Sequence, residues 1–353
     1  MARTIMIMAG GTGGHVFPGL AVADRLRDAG WRVVWLGNRG GMEATLVPRR
    51  GYPMAWVDFA GLRGKGALAF ALLPARLLRA LWQSARAIFT HRPDVVLGLG
   101  GYVSFPGGMM AVLLRKPLAI HEQNSVAGLA NRALAAFADR VLAGFPGALP
   151  KARVVGNPVR ADIAALPTPA IRFAGRDGPL RLLVVGGSLG AKALNDAVPA
   201  ALARIDASIR PRVLHQSGAQ HCAALAEGYR AAGVTAEAVP FIEDMASAYA
   251  EADLVVCRAG ALTVAELSSA GVASILVPFP HAVDDHQTAN GRYLSDAGAA
   301  VLLPQAELSA ERLATLLGGL TRERLLDMAQ RARARALPEA TAQVAAACTE
   351  LAR

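Results

Sequence analysis

The pattern that most constrains this chain occurs twice: an apolar strand, a glycine-rich turn and the start of a helix. The first turn reads Gly-Gly-Thr-Gly-Gly-His over residues 10–15, and the second reads Gly-Gly-Ser-Leu-Gly over residues 186–190. Glycine accepts positive φ angles and the positive end of a helix attracts anions, so such turns collect phosphates or polar oxygens. We expect the four glycines of the first turn to adopt such angles and its helix to open near Pro18. A tight turn without a ligand is the alternative interpretation.

The order of the predicted elements indicates two domains of the α/β class. Apolar strands alternate with helical segments in both halves, which predicts parallel sheets with right-handed crossovers. Residues 252–257 repeat the pattern of residues 93–97, so an internal duplication is the simplest explanation, and a length of 353 residues suits two domains better than one. We therefore predict two Rossmann-like doubly wound domains that face a cleft, over residues 1–157 and 158–337, with a linker at 164–170.

Composition and spacing exclude several protein classes. Cys222, Cys257 and Cys348 lie far apart, which argues against a disulfide framework and a zinc site and suits a reducing cytoplasm. The N-terminus lacks the basic leader and apolar segment of a secretion signal. Residues 95–114 carry no charge but contain five glycines and Pro106, so we predict a buried strand, a loop and a short helix there, not a membrane span. Neither glycine turn completes a dinucleotide-binding or Walker motif, which disfavours a nicotinamide dehydrogenase.

The net charge of +10 is concentrated in the first half of the chain. Residues 1–155 carry 19 Lys and Arg against 7 Asp and Glu, whereas residues 156–353 carry 18 against 20. No acidic residue lies between Asp58 and Asp94, where basic residues are interleaved with large apolar ones: Arg63, Lys65, Arg76, Arg79, Arg86 and Arg92 with Leu68, Phe70, Leu72, Leu73, Leu77, Leu78, Leu81 and Trp82. That mixture predicts attachment to an anionic membrane surface, with a core helix bearing a solvated basic face as the alternative. A nucleic-acid surface is disfavoured because few aromatic residues are present to stack on bases.

The densest polar motif is Arg-Ala-Gly-Ala-Leu-Thr-Val-Ala-Glu over residues 258–266, which follows an apolar strand and opens a helix. Glu266 is suited to accept both hydroxyls of a ribose while a nucleotide phosphate lies at the helix start. Alternatively, Glu266 only stabilises the first helical turn as a capping-box carboxylate. The polar loop over residues 278–290 suits sugar hydroxyls. Its adjacent Asp284 and Asp285 lack the Asp-x-Asp spacing of a metal-bridged diphosphate site, so we predict no protein-held metal.

Seven short motifs are spread over the whole chain: Gly10–Gly19, Gly61–Gly66, Gly100–Val103, His121–Asn124, Val155–Arg160, Gly186–Ser188 and Arg258–Glu266. In combination they resemble glycosyltransferase family 28, and specifically its bacterial enzymes that make lipid II in peptidoglycan biosynthesis. The resemblance implies a glycosyltransferase B fold, bound peripherally to the cytoplasmic face of the cell (inner) membrane, with a C-terminal helix over residues 338–353 that returns to the first domain. The implied reaction is inverting transfer of N-acetylglucosamine from UDP-N-acetylglucosamine to the muramyl 4-hydroxyl of lipid I, an undecaprenyl-linked acceptor, without a cofactor.

By the same resemblance, the first domain would hold the acceptor and supply the chemistry. The residues implied to contact the donor sugar and the acceptor side are Thr12, Gly13, Gly14 and Asn124. His15 is the candidate general base, because a histidine titrates near neutral pH and the attacking hydroxyl must lose its proton. Alternatively, His15 only closes the turn by bonding to the backbone. Glu122 and His121, at the end of a strand that faces the same predicted crevice, are the reserve candidates.

The second domain would bind the nucleotide sugar. Ser188 would hold the donor diphosphate together with Arg160 from the interdomain segment, Ile242 would meet uracil through its backbone, and Gln287 would bind sugar hydroxyls. The residues implied to carry phosphate and ribose are Ala261, Leu262, Thr263, Val264, Ala265 and Glu266. The chain departs from family members that have two glutamines in the sugar loop, because His286 precedes Gln287, and this leaves open which side chain makes the second contact.

Two other functions stay open on the sequence. One is a glycosyltransferase B enzyme that acts on a different lipid acceptor, such as diacylglycerol. The other is a nonenzymatic, membrane-associated sensor of nucleotide sugars, which would retain Glu266 and Ser188 but would not need His15.

Overall fold

The computed structural model describes residues 2–59, 72–187 and 190–352, and the chain forms two compact units. The first unit comprises Met1–Arg160 together with Pro338–Arg353, and the second comprises Ala161–Leu337. Each unit contains one parallel sheet, so the α/β fold class is as predicted.

In the first unit, seven parallel strands are described, in the order β3-β2-β1-β4-β5-β6-β7. They are β1 (Thr4–Met8), β2 (Arg32–Gly37), β3 (Met54–Trp56), β4 (Val95–Gly98), β5 (Leu118–Glu122), β6 (Arg140–Ala143) and β7 (Arg153–Val154). The central strand β1 is apolar throughout because both faces of the sheet are covered: Ile5 and Ile7 enter one core, and Met6 and Met8 enter the other. The helices described between these strands are α1 (Gly13–Asp28), α2 (Glu43–Arg49), α3 (Leu73–His91), α4 (Ser104–Leu113) and α5 (Leu129–Leu134).

The sheet of the second unit has the order β10-β9-β8-β11-β12-β13, which repeats the first six positions of the other sheet. Its strands are β8 (Arg181–Val185), β9 (Arg212–Gln216), β10 (Glu237–Val239), β11 (Leu254–Cys257), β12 (Ala273–Leu276) and β13 (Ala300–Leu302). Its helices are α6 (Ala161–Ala164), α7 (Pro169–Phe173), α8 (Lys192–Ala203), α9 (Cys222–Ala231), α10 (Met245–Glu251), α11 (Ala261–Ala270), α12 (His286–Ser295), α13 (Ala310–Gly318) and α14 (Arg322–Ala334). Equal strand orders agree with the internal duplication inferred from the sequence.

The last helix, α15 (Ala340–Leu351), belongs to the first unit although it ends the chain. It packs along α1 and over β4 and β5. Val344 and Cys348 are fully buried in the core that also holds Val22 and Leu26 of α1. The first unit is therefore completed by residues from both ends of the sequence.

The first glycine turn differs from the prediction. Of its four glycines only Gly11 has a positive φ, +90°, and α1 begins at Gly13 and not near Pro18. The helix starts early because Thr12 has an extended backbone and its carbonyl accepts the N–H of His15. The loop is therefore shorter than expected, and His15 lies in the first turn of a helix.

Two other segments test the sequence reading. The uncharged segment 95–114 forms β4, a turn and α4, as predicted, and among the described residues no helix has both the length and the apolar character needed to cross a membrane. The segment 164–170, which was expected to be the linker, belongs to the second unit. Pro169 and Phe173 are buried in α7, and the carbonyl of Pro167 accepts a hydrogen bond of 3.2 Å from Arg172.

Candidate functional site

The two sheets predict where each unit binds its ligand. In a doubly wound sheet, ligands bind beyond the carboxyl ends of the strands at the point where the strand order reverses. That point lies between β1 and β4 in the first unit and between β8 and β11 in the second. The two glycine turns follow β1 and β8, so each occupies the expected binding edge of its own sheet.

A buried carboxylate holds the first glycine turn from beneath. Glu43, the first residue of α2, is fully buried; its Oε2 accepts the N–H of Gly11 at 3.0 Å and its Oε1 accepts the N–H of Asn38 at 2.9 Å. A β-carbon at Gly10 would lie only 2.4 Å from Glu43 Oε1, so a larger residue there would displace this carboxylate. The sequence reasoning missed Glu43, because an acidic residue at the start of a short helix looks the same when it is exposed.

The turn after β4 lies directly against the turn after β1. Gly101 has a φ of +81°, and a β-carbon there would come within 2.3 Å of the carbonyl oxygen of Gly10. The Ser104 hydroxyl lies 2.6 Å from the carbonyl oxygen of Gly100 and 3.0 Å from that of Met8, so it joins the ends of β1 and β4. The two turns therefore form one rigid edge.

His15 projects from this edge and has a side-chain partner. Its Nδ1 lies 2.9 Å from Oε1 of Gln123, which follows β5, and the ring packs on Gly100, where a β-carbon would lie 2.9 Å from Cε1. The side chain is half-buried. The His15 side chain therefore bonds to Gln123 and not to the backbone of its own turn, so the alternative interpretation is wrong.

Glu122, a reserve candidate for the base, has a structural task in this geometry. Its side chain is 1% exposed, and its two oxygens accept hydrogen bonds from the backbone and side chain of Asn124, from the N–H of Gly128 and from Asn131 Nδ2 at 2.8 Å. Glu122 thus fixes the loop that carries Asn124. Removing the carboxylate would take away the acceptor that these donors share.

His121, the other reserve candidate, is fully buried. Its Nε2 lies 2.8 Å from the carbonyl oxygen of Gly156, and its Nδ1 lies 3.1 Å from Nε2 of Gln123. Burial lowers the pKa of the His121 imidazole. Its ring is therefore neutral and closed off by its partners, and it is not presented to a substrate.

The second glycine turn is held by Gln216, the last residue of β9. Its Oε1 accepts the N–H of Gly187 at 3.0 Å, and its Nε2 donates to the carbonyl oxygens of Gly187 and Pro240. Gly187 has a φ of +84°, as does Gly190 at +75°, where a β-carbon would collide with the carbonyl of Ser217. Ser188, the predicted diphosphate ligand, lies outside the described residues.

Helix α11 provides the anion-attracting start that the sequence predicted. Gly260 caps it in an extended conformation, and the N–H of Val264 is the first to bond back, to the Gly260 carbonyl at 2.9 Å. First-turn N–H groups have no acceptor inside the helix, so they face outward. The predicted phosphate and ribose residues occupy the first two turns: Ala261, Leu262, Thr263, Val264, Ala265 and Glu266.

Glu266 lies beyond the first turn of α11, which contains no acidic residue, so the capping-box alternative is wrong. The carboxylate is 8% exposed, and its Oε2 accepts a hydrogen bond of 3.1 Å from the hydroxyl of Tyr249 in α10. Tyr249 therefore orients the carboxylate. This partner could not be predicted from the sequence, because the position of Tyr249 depends on how α10 packs against α11.

The predicted sugar loop is held by hydrogen bonds between its own residues. Gln287 Oε1 accepts the N–H of Phe279 at 2.9 Å, and His286 Nδ1 lies 2.7 Å from the carbonyl oxygen of Val283. His286 therefore donates through Nδ1, which leaves Nε2 as the acceptor of the neutral ring. Both side chains are half-buried at the start of α12, and one turn further along Asn290 donates to the carbonyl of Ala259, which precedes α11.

Three other predicted or motif residues have different surroundings. Ile242 follows β10 and is half-buried, and Arg160 is the last residue of the first unit before the chain enters α6. Arg258, which opens the motif 258–266, donates to the carbonyl oxygens of Val277 and Pro278 at 3.2 Å. Arg258 therefore ties the ends of β11 and β12 together.

Comparison with known proteins agrees with this architecture. The glycosyltransferase family 28 N-terminal domain matches residues 5–143, and the family 28 C-terminal domain matches residues 181–346. A protein of Aromatoleum aromaticum named UDP-N-acetylglucosamine--N-acetylmuramyl-(pentapeptide) pyrophosphoryl-undecaprenol N-acetylglucosamine transferase is 65% identical over 350 residues, which cover 99% of this chain and 98% of that protein. Its namesake in Cupriavidus metallidurans is 62% identical over 351 residues and 99% of both chains.

A solved structure supports the same assignment. The crystal structure of Acinetobacter baumannii MurG has a TM-score of 0.86 to this chain, with 43% sequence identity and coverage of 99% of each chain. At this identity the similarity extends beyond the fold that many glycosyltransferases share. The chain therefore belongs to glycosyltransferase family 28, within the MurG group of glycosyltransferase B enzymes.

Proposed function

We propose that this chain transfers N-acetylglucosamine from UDP-N-acetylglucosamine to the 4-hydroxyl of the N-acetylmuramyl sugar on undecaprenyl diphosphate, with inversion at the anomeric carbon. The observation that carries the proposal is the 65% identity with a transferase of this name across 99% of the chain. The geometry supports it, because each unit has a ligand-binding edge of its own at the reversal point of its sheet. One edge suits a nucleotide diphosphate, and the other contains a half-buried histidine.

The second unit would bind the UDP moiety. The start of α11 offers backbone N–H groups and a helix dipole to the diphosphate, with Ser188 and Arg160 as the proposed side-chain ligands. Glu266, oriented by Tyr249, would accept the ribose hydroxyls. Ile242 would contact uracil and Gln287 the sugar hydroxyls. This set gives a charged, hydrogen-bonded site to the part of the donor that leaves the reaction as UDP.

The first unit would supply the base. In an inverting displacement the 4-oxygen bonds to the anomeric carbon while the bond from that carbon to the diphosphate breaks, and the hydroxyl proton passes to a base. His15 is the residue we assign to this role, because it is half-buried on the rigid edge formed by the turns after β1 and β4. Thr12, Gly13 and Gly14 form the end of the turn after β1 and the start of α1, and Asn124 follows β5 next to Gln123. These four residues would contact the sugars. Glu122 and His121 would act only through the loop that they hold.

Helix α3 supports attachment to an anionic membrane. Its buried face carries the small residues Ala80, Ser84 and Ala87 with Ile88, whereas its exposed face carries Leu78, Trp82 and Phe89, which are 67%, 61% and 65% exposed. Exposed aromatic and aliphatic side chains among basic ones suit the headgroup boundary of a bilayer. The basic residues of this face that the structure describes are Arg76, Arg79 and Arg86, while Arg63, Lys65, Leu68 and Phe70 lie outside the described residues. We assign the chain to the cytoplasmic side of that membrane, where its nucleotide-sugar donor would be present.

One assay tests the reaction. The purified chain is incubated with radiolabelled UDP-N-acetylglucosamine and a short-chain lipid I analogue without added metal, and labelled disaccharide lipid is the expected product. An analogue whose muramyl 4-hydroxyl is replaced by hydrogen is the matched control and should stay unlabelled. Labelling of diacylglycerol in place of the analogue would overturn the acceptor. Binding of UDP without labelling of either lipid would indicate the nonenzymatic sensor.

A further inference from the structure

We propose that Gln123 and His121 are positioning residues that set the protonation pattern of His15. A chain of hydrogen bonds from the Gly156 carbonyl through His121 and Gln123 places the ring hydrogen of His15 on Nδ1 and makes Nε2 the proton acceptor. The catalytic meaning of this pattern rests on the proposed function, but the pattern itself is a property of the folded first unit.

The chain of hydrogen bonds begins at the carbonyl oxygen of Gly156, which can only accept a hydrogen bond. The carbonyl oxygen of Gly156 lies 2.8 Å from His121 Nε2, so Nε2 must carry a hydrogen. His121 is fully buried, and burial lowers the pKa of its imidazole, so the ring is neutral and carries only that one hydrogen. His121 Nδ1 is consequently an acceptor.

The orientation of the Gln123 amide follows from His121. Gln123 Nε2 lies 3.1 Å from His121 Nδ1 and 3.2 Å from the His121 carbonyl oxygen, and both of these groups accept. The amide nitrogen must face them, because the reversed amide would place its oxygen against two acceptors and would require a second proton on a fully buried ring. Gln123 Oε1 is therefore directed at His15.

Gln123 Oε1 determines which ring nitrogen of His15 carries the hydrogen. Gln123 Oε1 can only accept, and it lies 2.9 Å from His15 Nδ1, so Nδ1 carries the hydrogen of the neutral ring. Within the described part of the chain, Nε2 of His15 makes no hydrogen bond. The neutral ring therefore presents a lone pair at Nε2, which is the form that a general base requires.

The partner of His15 is a neutral amide and not a carboxylate. The acidic residues of the neighbouring elements are otherwise occupied: Glu43 of α2 accepts the N–H groups of Gly11 and Asn38, and Glu122 of β5 holds its own loop. The buried imidazole beyond Gln123 is neutral. Gln123 is therefore the group through which the interior of the first unit acts on His15.

Nitrogen chemical shifts of the histidine rings test the pattern directly. In protein labelled with 15N-histidine, the His15 signals, identified by their loss in His15→Gln, should show a protonated Nδ1 and an unprotonated Nε2 at a pH where the ring is neutral. Gln123→Met, which keeps length but removes the acceptor, should yield a mixture of both patterns. A wild-type ring with hydrogen on Nε2, or a Gln123→Met ring identical to the wild type, would overturn the proposal.

Kinetics separates positioning from a merely structural role. Gln123→Met should lower kcat about tenfold with an unchanged KM for UDP-N-acetylglucosamine, and it should cause no further loss in a His15→Ala background. Gln123→Glu supplies a charged acceptor that favours the protonated ring, so it should move the acidic limb of the pH–rate profile to higher pH.

The matched control is Asn195→Met, which removes a buried amide that accepts from His215 Nε2 at 3.1 Å in the second unit. Asn195→Met should lower the stability of the protein without changing the nitrogen chemical shifts of the His15 ring or the acidic limb of the pH–rate profile. If Gln123→Met lowered kcat equally in the wild type and in the His15→Ala background, the proposed chain of hydrogen bonds would be contradicted. A wild-type protein without transferase activity would instead contradict the proposed function and leave the spectroscopic result valid.

Discussion

Glu43, Gln216 and Glu122 share one task, which is to fasten a ligand-binding loop from its buried side. Each is at most 3% exposed, and each accepts backbone N–H groups that would otherwise be unpaired in the interior. An unsatisfied buried donor costs about 1–3 kcal/mol, so these side chains determine whether the loops are rigid. The side chains proposed to meet substrate are thus carried by loops that these three buried residues hold.

Glu266 provides the first prediction at this scale. Glu266→Ala should lower the affinity for UDP at least about tenfold, because it removes charge-assisted hydrogen bonds to the ribose worth about 1.5–3 kcal/mol each. Tyr249→Phe removes only the hydroxyl that orients the carboxylate, so its loss should be smaller, roughly fivefold. Calorimetric titration with UDP measures both. Unchanged affinity in a folded Glu266→Ala variant would remove Glu266 from the site.

The second prediction at the residue scale concerns His15. His15→Ala should lower kcat by at least about 10²-fold and abolish the acidic limb of the pH–rate profile, because the attacking hydroxyl loses its proton acceptor. UDP affinity should be unchanged, since the proposed nucleotide ligands belong almost entirely to the other unit. Steady-state rates across pH decide the matter. Retention of the limb, or a loss confined to acceptor KM, would leave His15 as a binding residue.

At the scale of elements, the apolar runs were predictable and the helix starts were not. β1, β4 and β11 are recognisable because a strand buried on both faces is apolar, and β8 is apolar after its exposed first residue, Arg181. The early start of α1 depends on the Thr12 carbonyl, and a Gly-Gly pair gives no propensity signal for it.

The roles of the buried polar side chains Gln123 and Glu43 could not be predicted from the sequence either. Gln123 stands inside the quoted motif 121–124 and Glu43 outside every motif, yet both acquire their roles from residues more than 30 positions away. Only packing shows which polar side chains are buried.

Helix α3 carries the prediction for this scale. Arg76→Glu combined with Arg86→Glu should weaken sedimentation with anionic vesicles, because each basic residue near such a surface contributes about 1 kcal/mol, or roughly thirtyfold for two. Arg79 is a poorer choice, since its guanidinium pairs with Asp58 at 2.8 Å and its removal would also disturb that contact.

A charge-matched control separates the helix from net charge. Arg312→Glu with Arg324→Glu, both exposed in the second unit, changes the total charge equally and should leave vesicle binding nearly unchanged. High salt should reproduce the loss seen with Arg76→Glu and Arg86→Glu. Equal binding of the α3 variant and the wild type would exclude this face.

At the scale of the whole molecule, stability should fall on mild acidification. In the second unit His215 is buried between Tyr229 and Asn195, and burial lowers its pKa to about 3. A depressed histidine pKa means that the unfolded chain binds the extra proton, so stability declines as pH falls below about 6.5, at about 1.4 kcal/mol per unit. Between pH 6.5 and pH 5 the loss is about 2 kcal/mol. Hydrogen exchange of β9 under native conditions measures it, and His215→Gln should remove most of the pH dependence; an equal dependence in both proteins would contradict this origin.

Deletion of residues 338–353 should destabilise the first unit alone. Val344 and Cys348 leave that core with α15, and burying one such side chain is worth about 1.5–3 kcal/mol. All four tryptophans, at positions 31, 35, 56 and 82, belong to the first unit, so their fluorescence reports its urea transition separately. Deletion of residues 352–353 is the control. A tryptophan transition at the wild-type urea concentration would contradict the assignment of α15 to this core.

The place of α15 also fixes an order of events during synthesis. The second unit is one continuous segment, Ala161–Leu337, and every residue it needs has been translated before α15 exists. The first unit, although it is made first, keeps one flank of α1 uncovered until residue 351 has left the ribosome. The half of the protein that is translated first is therefore the half that matures last.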